Sequence, residues 1–386
     1  MTQPRIFHFL ETERFPVAPD HPAWLAPLPS RRPEAACGPE DGETPTVGDY
    51  FRALEAFCTG EGAAVLSRLH RRGAAGEVPV EEIRVFLAKH GAAYHPARLE
   101  TRGGGVVQEW VANVAFSAEG RRLIRRETAI LTRLHAETRL PYLPEVYGAF
   151  SVAPRSGPPF DLWLGQWFSG FCEVHLHRQG PGERPRLLLW DPGGGSSGLA
   201  PAAAEAVYRE AARILTLYLN FERFEEIALW HHAAGDFVVR PGPEGVAVRL
   251  IAVRDYRPLF AGRAGAEIPQ GGLAALLTRL LLFFLALSLH TRLDRLDGTG
   301  EFALAPEEAV FATREGVLAA LAEKAAGLPL AEAFAAFLSS CAEEDFLELC
   351  GGIVARRYRE GSPERLLLAH GLAAHAAALC ACARAA

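Results

Sequence analysis

The spacing of apolar residues changes partway along the chain, and this change constrains the fold more than any other feature. Between residues 91 and 190 apolar residues fall in short runs rich in β-branched and aromatic side chains, which predict strands. One amphipathic helix, predicted over 118–137, interrupts these runs. After residue 271 the spacing is helical, apart from a loop at 294–304. The pattern therefore predicts an α+β protein, with a β-rich part followed by a mainly helical part.

The length of 386 residues exceeds what one hydrophobic core usually covers, so two lobes are expected. Residues 1–46 contain many prolines and predict an extended arm or tail. Residues 47–165 predict N-terminal helices and a small β-rich lobe, which includes a short helix at 80–90. Residues 166–386 predict a larger helical lobe with an internal β-hairpin and a long helix over 202–226.

Composition narrows the class of protein. Hydrophobic residues make up 49% of the chain and the formal net charge is −6, which excludes a general nucleic-acid-binding surface. The seven cysteines are scattered and the N-terminus lacks a signal peptide, so a cytoplasmic location is expected. The most apolar run, Leu280–Leu289, is shorter than the roughly 20 residues that cross a bilayer, and no membrane segment is predicted.

Glu173, His175 and His177 alternate along a predicted strand, so their side chains share one face. Together with His231 and His232 they would suit a metal-dependent enzyme. The alternative is an ordinary half-exposed strand with a polar face.

A pair of carboxylates, Asp294 and Asp297, lies near a glycine turn. They would suit a cation, or they would form ordinary salt bridges with Arg292 and Arg295.

The segment 230–239 holds the densest group of ionisable residues. Two adjacent histidines and a flexible turn precede Asp236, which stands before an apolar strand. A carboxylate beside imidazoles can bind a metal or accept a proton. Alternatively, Asp236 caps a tight turn and His231 packs in the core. If Asp236 is an exposed functional group, Asp236→Asn is expected to change stability by less than about 1 kcal/mol.

The order of these elements resembles the kinase-like fold of the aminoglycoside phosphotransferase and choline kinase families. Residues 105–116 resemble the strand that carries the phosphate-binding lysine, and 118–137 resemble the single helix of the small lobe. Residues 164–171 resemble the hinge. The segment 230–239 is similar to the catalytic loop, and 250–256 to the metal-binding strand and turn. The resemblance implies a two-lobed protein-kinase-like fold with a helical N-terminal extension.

The motifs depart from the family pattern. Asn113 stands in place of the strand lysine, and Glu127 stands where the ion-pairing glutamate is expected. In one loop register Asp236 takes the place of the metal-binding asparagine and His231 that of the catalytic aspartate. In the other register Asp236 is the base, but Pro241 stands where the asparagine should follow.

The metal-binding strand departs as well, because Ala252 stands where an aspartate is expected and Asp255 follows three residues later. Losing these groups together with the lysine would slow phosphoryl transfer by roughly a thousandfold or more.

The resemblance implies an ATP- and Mg²⁺-dependent protein that transfers a phosphoryl or nucleotidyl group to a small molecule or a protein. Asp236 and Asp255 would bind the metal, with Asp236 and His231 as catalytic candidates. The implied nucleotide-binding residues are Asn113, Glu127 and Trp167. The alternative is an inactive pseudokinase that acts as a binding or scaffold protein, and a metal-dependent enzyme is the weaker third reading.

Overall fold

The computed structural model describes residues 3–10, 15–29, 44–72, 78–89, 91, 93–154, 158–180, 182–191, 195–232, 235–243, 245–259 and 272–385. Its elements are mixed α and β, which confirms the predicted class. The chain divides into two compact units. The first contains residues 1–169 and 192–194, and the second contains residues 170–191 and 195–386.

The first unit is built on a six-stranded sheet. Its strands are β1 (Arg5–Leu10), β2 (Glu82–Leu87), β3 (His95–Gly103), β4 (Val106–Ala115), β5 (Val146–Val152) and β6 (Phe160–Gln166). The helices are α1 (Val47–Thr59), α2 (Ala63–Arg72) and α3 (Ala118–Thr138). The sheet order is β1-β2-β3-β4-β6-β5, and β1 runs parallel to β2 while the other neighbours are antiparallel.

The two faces of this sheet are covered by different helices. Trp110, Ala112 and Val114 of β4 join one hydrophobic cluster with α1 and α2. Alternation along a strand directs Asn113 to the opposite face. Helix α3 packs against β4, β5 and β6, and its buried stripe, which includes Glu127, lies outside that cluster. Asn113 therefore lies on the face that α3 covers.

The helix predicted at 80–90 is wrong, because this segment contains strand β2. Ile83, Val85 and Leu87 are buried and alternate with the less buried Glu82 and Arg84. This two-residue period belongs to a strand with one buried face. Glu82, which would stand in the first turn of a helix, instead lies on the less buried face of the strand.

The arm predicted over residues 1–46 is also partly wrong. Residues 5–10 form the edge strand β1, and Trp24 is only 4% exposed, with its ring 5.7 Å from that of Phe51. A short 3₁₀ turn, Pro22–Leu25, places this indole over α1. Residues 30–43 of the expected arm lie outside the described residues.

The packing of Trp24 on α1 gives a first prediction. A Cβ at Gly48 would lie 2.3 Å from Trp24 Nε1, so Gly48→Ala is expected to destabilise the protein by about 1 to 3 kcal/mol through overpacking. Urea unfolding measures the change. The matched control is Gly352→Ala, in a later helix where nothing lies within 4 Å, and it should stabilise by up to about 1 kcal/mol. Equal effects of both substitutions would contradict the buried position of Trp24.

The second unit contains more helix. Its strands are β7 (Cys172–His177), β8 (Arg186–Trp190), β9 (Ser196–Gly198), β10 (Glu225–Ala228), β11 (Phe237–Gly242), β12 (Gly245–Leu250), β13 (Asp255–Pro258), β14 (Leu293–Arg295) and β15 (Phe302–Leu304). Its helices are α4 (Pro201–Leu217), α5 (Gly272–Arg292), α6 (Glu308–Lys324), α7 (Leu330–Ser339), α8 (Glu343–Arg357) and α9 (Pro363–Arg384).

The predicted internal hairpin is β11–β12, and it belongs to a larger sheet of order β12-β11-β7-β8-β9. The helix predicted over 202–226 ends earlier, at Leu217. Lys324 Nζ donates to the carbonyl oxygens of Leu217 and Leu219, each at 2.7 Å, and so satisfies the end of α4. Residues after this cap turn back into β10.

Among the residues that the structure describes, two helices, α5 and α9, are long and apolar enough to cross a membrane, although the sequence predicts no such segment. The most apolar window of α5 is 56% buried inside the structure, and that of α9 is 44% buried. Core helices pass the same test of length and composition, so this finding is only a weak indication of a membrane location.

Candidate functional site

The loop between β10 and β11 carries three of the candidate residues, His231, His232 and Asp236. It begins at Leu229, whose φ is 59°, and continues into the buried Trp230. The Trp230 ring packs edge-on against the rings of Phe237 and His290, at 5.4 and 4.5 Å between centroids. This packing fixes the start of the loop against the first residue of β11 and against α5. Residues 233 and 234 lie outside the described part of the loop.

Asp236 lies at the end of this loop and is 2% exposed. Its Oδ2 accepts a hydrogen bond from the His231 backbone N–H at 2.8 Å. The guanidinium of Arg254 binds both carboxylate oxygens, with Nη1 on Oδ2 and Nη2 on Oδ1, the latter at 2.6 Å. Arg254 Nη1 also donates to the Leu229 carbonyl at 3.1 Å. One arginine therefore ties the two ends of the loop together.

This geometry corrects the expectation that Asp236 is exposed. The carboxylate is buried, and its oxygens are occupied by an ion pair and by a backbone N–H. The turn-cap alternative accounts for the bond to His231. Asp236→Asn is therefore not a change at an exposed site, and the small effect on stability expected for an exposed site does not apply.

The three histidines around the loop differ in exposure. His231 is exposed and His232 is 3% exposed, so the expected core histidine is His232 and not His231. Burial lowers the pKa of His232 to about 4, although Asp236 opposes this shift. His290 Nε2 lies 2.6 Å from the Trp230 carbonyl oxygen, and its Nδ1 lies 2.9 Å from the Tyr358 hydroxyl.

The carbonyl of Trp230 can only accept, so Nε2 of His290 carries the proton and Nδ1 accepts from Tyr358. Burial lowers the pKa of His290 to about 3. His232 and His290 are therefore neutral near pH 7, and His290 links Trp230 of the loop to Tyr358 through its two ring nitrogens.

Asp255 is also buried and also paired with an arginine. It opens β13 opposite Ala228, and its Oδ2 lies 3.4 Å from Arg257 Nε. The neighbouring Glu226 lies opposite Arg257 and binds Arg357 at 2.5 Å. Burial raises the pKa of Glu226, while Arg357 and Arg257 act in the opposite direction.

The predicted metal sites do not take shape among the residues that the structure describes. Within these ranges, no group of three or more His, Cys, Asp or Glu side chains is placed to hold a metal ion. Of the two carboxylates expected to bind Mg²⁺, Asp236 has both oxygens bound by Arg254, and Asp255 has one oxygen 3.4 Å from Arg257. These residues do not fit a magnesium site.

The two remaining candidate clusters are the one on β7 and the one at residues 294–297. They contact each other, and their side chains are hydrogen-bonded. His175 Nε2 lies 3.1 Å from Glu173, and His177 Nδ1 lies 2.8 Å from Asp297. Asp294 accepts from the Leu176 backbone N–H at 3.2 Å. Strand β7 is therefore joined to the turn after α5.

Arg292 and Arg295, which were considered as salt-bridge partners of Asp294 and Asp297, contact other groups. Arg292 binds Glu307, with 3.3 Å between the charged atoms. Arg295 donates to the Gly300 carbonyl oxygen.

The candidates Asn113, Glu127 and Trp167 lie in the first unit, whereas Asp236, His231 and Asp255 lie in the second. Asn113 is 5% exposed and pairs with Trp163 across the sheet. Its Oδ1 has no hydrogen-bond donor among the described residues. Glu127 is fully buried in α3. Trp167 is half-buried and directly follows β6.

The sequence did not identify Arg254, His290, Arg357 or Tyr358 as part of the site. Arg254 carried a usable signal, because it directly precedes Asp255 in the segment compared with the metal-binding turn. The other three lie in helices or at helix ends far along the chain.

Comparison with known proteins gives little. No protein-family model matches the chain, and no curated protein matches it. One solved structure that is similar is described as WaaP in complex with acyl carrier protein. It is 10% identical and covers 66% of this chain and 85% of that chain, with a TM-score of 0.29. A score this low does not establish a shared fold.

Proposed function

We propose that the chain is a kinase-like protein that binds a nucleotide without transferring its phosphate. The observation that carries this proposal is the ion pair in which Arg254 binds both oxygens of Asp236. A two-lobed kinase-like fold is part of the proposal, with α1 and α2 as its N-terminal extension. The order of strands around α3 supports this part.

Phosphoryl transfer in such a fold needs a carboxylate for a metal ion or for a proton. Asp236 already neutralises a guanidinium, which keeps its positive charge at every accessible pH. A magnesium ion would have to displace Arg254 or sit beside a like charge, and Mg²⁺ gives up its own waters reluctantly. Asp255 makes a looser contact, in which one of its oxygens lies 3.4 Å from Nε of the half-exposed Arg257. This arrangement favours the inactive alternative over the transferase.

Asn113 supports nucleotide binding in the first unit. Its buried Oδ1, for which the described residues supply no donor, can accept a hydrogen bond from an N–H or O–H of a ligand. Asparagine cannot supply the positive charge of a lysine, so binding would not depend on phosphate charge at this position.

Thermal unfolding with ATP tests the proposal. ATP should raise the melting temperature equally with Mg²⁺ and with EDTA, because ligand that binds only the folded state stabilises by about 2.7 kcal/mol at one hundred times its Kd. Labelled ATP should stay intact. No stabilisation by ATP would refute the proposal. Turnover that requires Mg²⁺ and disappears in an Asp236→Asn protein that is still folded would establish the transferase instead.

Asn113→Leu provides a residue-level prediction. Leucine has a similar volume and removes a buried oxygen for which the described residues supply no donor, so stability should change by less than about 1 kcal/mol. The affinity for ATP should fall by about tenfold, and the stabilisation at a fixed ATP concentration should fall with it. Full retention of the ATP effect in a stable Asn113→Leu protein would show that Asn113 does not contact the nucleotide.

A further inference from the structure

The five-stranded sheet of the second unit has two different faces. Buried residues of β11 and β12, among them Val239 and Leu250, lie on the face against which α4 packs. The register pairs Val238 with Glu173, and Glu173 with Trp190, so these three lie on the other face. Phe171, Glu173, Trp190, Arg240 and Arg249 together are called the outer face below.

The arginines of the outer face lie over an aromatic ring. The guanidinium carbon of Arg240 is 4.7 Å from the centre of the Phe171 ring, and that of Arg249 is 5.5 Å away. A guanidinium that lies over a ring is held by cation–π attraction and presents its N–H groups at the edge of its plane. Such an arginine loses less conformational freedom when it binds a carboxylate.

Trp190 completes the outer face, and this tryptophan is 39% exposed. Its ring contacts that of His175 at 5.3 Å, and Glu173 lies directly opposite on β7. Gly298 lies close over the His175 ring, where an added Cβ would be 3.0 Å from Cε1. The turn after α5 therefore covers the sheet near His175, and the accessible part is the one that holds Trp190 and the arginines.

The charge of the outer face is opposite to that of the whole chain. The outer face carries two positive charges, on Arg240 and Arg249, and one negative charge, on Glu173. This glutamate is already hydrogen-bonded to His175 at 3.1 Å. The chain as a whole has a net charge of −6. A local positive excess on an acidic protein favours an acidic partner, since complementary potentials select partners and speed their association.

We propose that the outer face is a docking surface for an acidic peptide segment that carries an aromatic side chain. Tryptophan and arginine are the residue types that contribute most to binding energy at protein interfaces. Trp190 would pack against the aromatic side chain of the peptide, and Arg240 and Arg249 would bind its carboxylates. This proposal goes beyond nucleotide binding and does not depend on it.

Fluorescence anisotropy with a labelled synthetic peptide of alternating glutamate and tyrosine tests this surface in the absence of ATP. Saturable binding is expected, and Arg240→Glu and Trp190→Ala should each weaken it by about tenfold or more. The matched control is Arg384→Glu, which makes the same charge change at an exposed position in the last turn of α9. The control should keep the affinity within about twofold.

Several outcomes would overturn the proposal. These are retained affinity in Arg240→Glu, an equal loss in Arg384→Glu, or equal binding of a lysine–tyrosine peptide. Displacement of the peptide by ATP would assign the arginines to phosphate groups and not to a peptide. If Arg240→Glu fails to fold, Arg240→Gln removes the charge alone and should still weaken binding about threefold. These outcomes do not depend on the nucleotide proposal, which is tested separately by thermal unfolding.

Discussion

Replacing Arg254 with methionine is expected to lower the free energy of unfolding by about 3 to 5 kcal/mol. The substitution leaves the Asp236 carboxylate, which is 2% exposed, without the cation that binds both of its oxygens. An unpaired charge in a buried position is far more costly than a lost surface ion pair. Urea unfolding followed by circular dichroism measures the loss.

The matched control is Arg209→Met. Arg209 and its partner Glu315 have side chains that are 42% and 56% exposed, at 3.4 Å, so this change should cost less than about 1 kcal/mol. The double variant Arg254→Met/Asp236→Asn removes both charges and should recover part of the lost stability. A cost of Arg254→Met no larger than that of Arg209→Met would contradict the buried ion pair.

The same variant tests why Arg254 is there. If its guanidinium takes the place of a cation, removing it leaves Asp236 available to one. Mg²⁺ should then raise the melting temperature of Arg254→Met and leave the unchanged protein and Arg209→Met unaffected. An equal response of all three proteins would mean that Asp236 has no special affinity for Mg²⁺.

The sequence predicts the elements whose hydrophobic period is long and regular. Helix α3 and strand β4 were predicted within one residue of their bounds, since each repeats its pattern over ten residues or more. Strand β2 was missed because its six residues are too few to separate the two periods. Strand β1 was missed because its partner, β2, lies far along the chain, and no local pattern encodes a parallel pairing.

The candidate site shows the same limit. Asp236 was identified because a carboxylate after a glycine turn and before an apolar strand is a local signal. Its pairing with Arg254 was not, because the β11–β12 hairpin brings the two residues together. The bond from His290 to Trp230 joins residues in different elements and depends on how α5 packs. Residue types can be read from the sequence, whereas ion pairing at a buried site depends on tertiary structure.

Acidification from pH 7.5 to 5 is expected to lower the free energy of unfolding by several kcal/mol. Burial lowers the pKa of His8 and His232 to about 4, and that of His290 and His375 to about 3. An unfolded histidine titrates near 6.5, so below that pH the unfolded chain binds protons that the folded chain does not. The folded state is therefore penalised progressively between pH 6.5 and 4, by about 2 kcal/mol per histidine at pH 5.

Two buried carboxyl groups, Asp294 and Glu226, act in the opposite direction, because burial raises the pKa of each. Burial raises the pKa of Asp294 to about 6, so the folded state takes up this proton first and gains about 1.4 kcal/mol by pH 5. The four histidines outweigh them.

Urea unfolding at a series of pH values gives the slope, and His290→Gln identifies its source. This variant should lose about 2 kcal/mol of the difference between pH 7.5 and 5, whatever its stability at neutral pH, because one of the four neutral histidines is gone. His370→Gln, at an exposed position of α9, should keep the full slope. Stability that stays level between pH 7.5 and 5 would mean that these histidines are not buried in neutral form. The loop that carries Asp236 would then not be held by the His290 bonds to Trp230 and Tyr358.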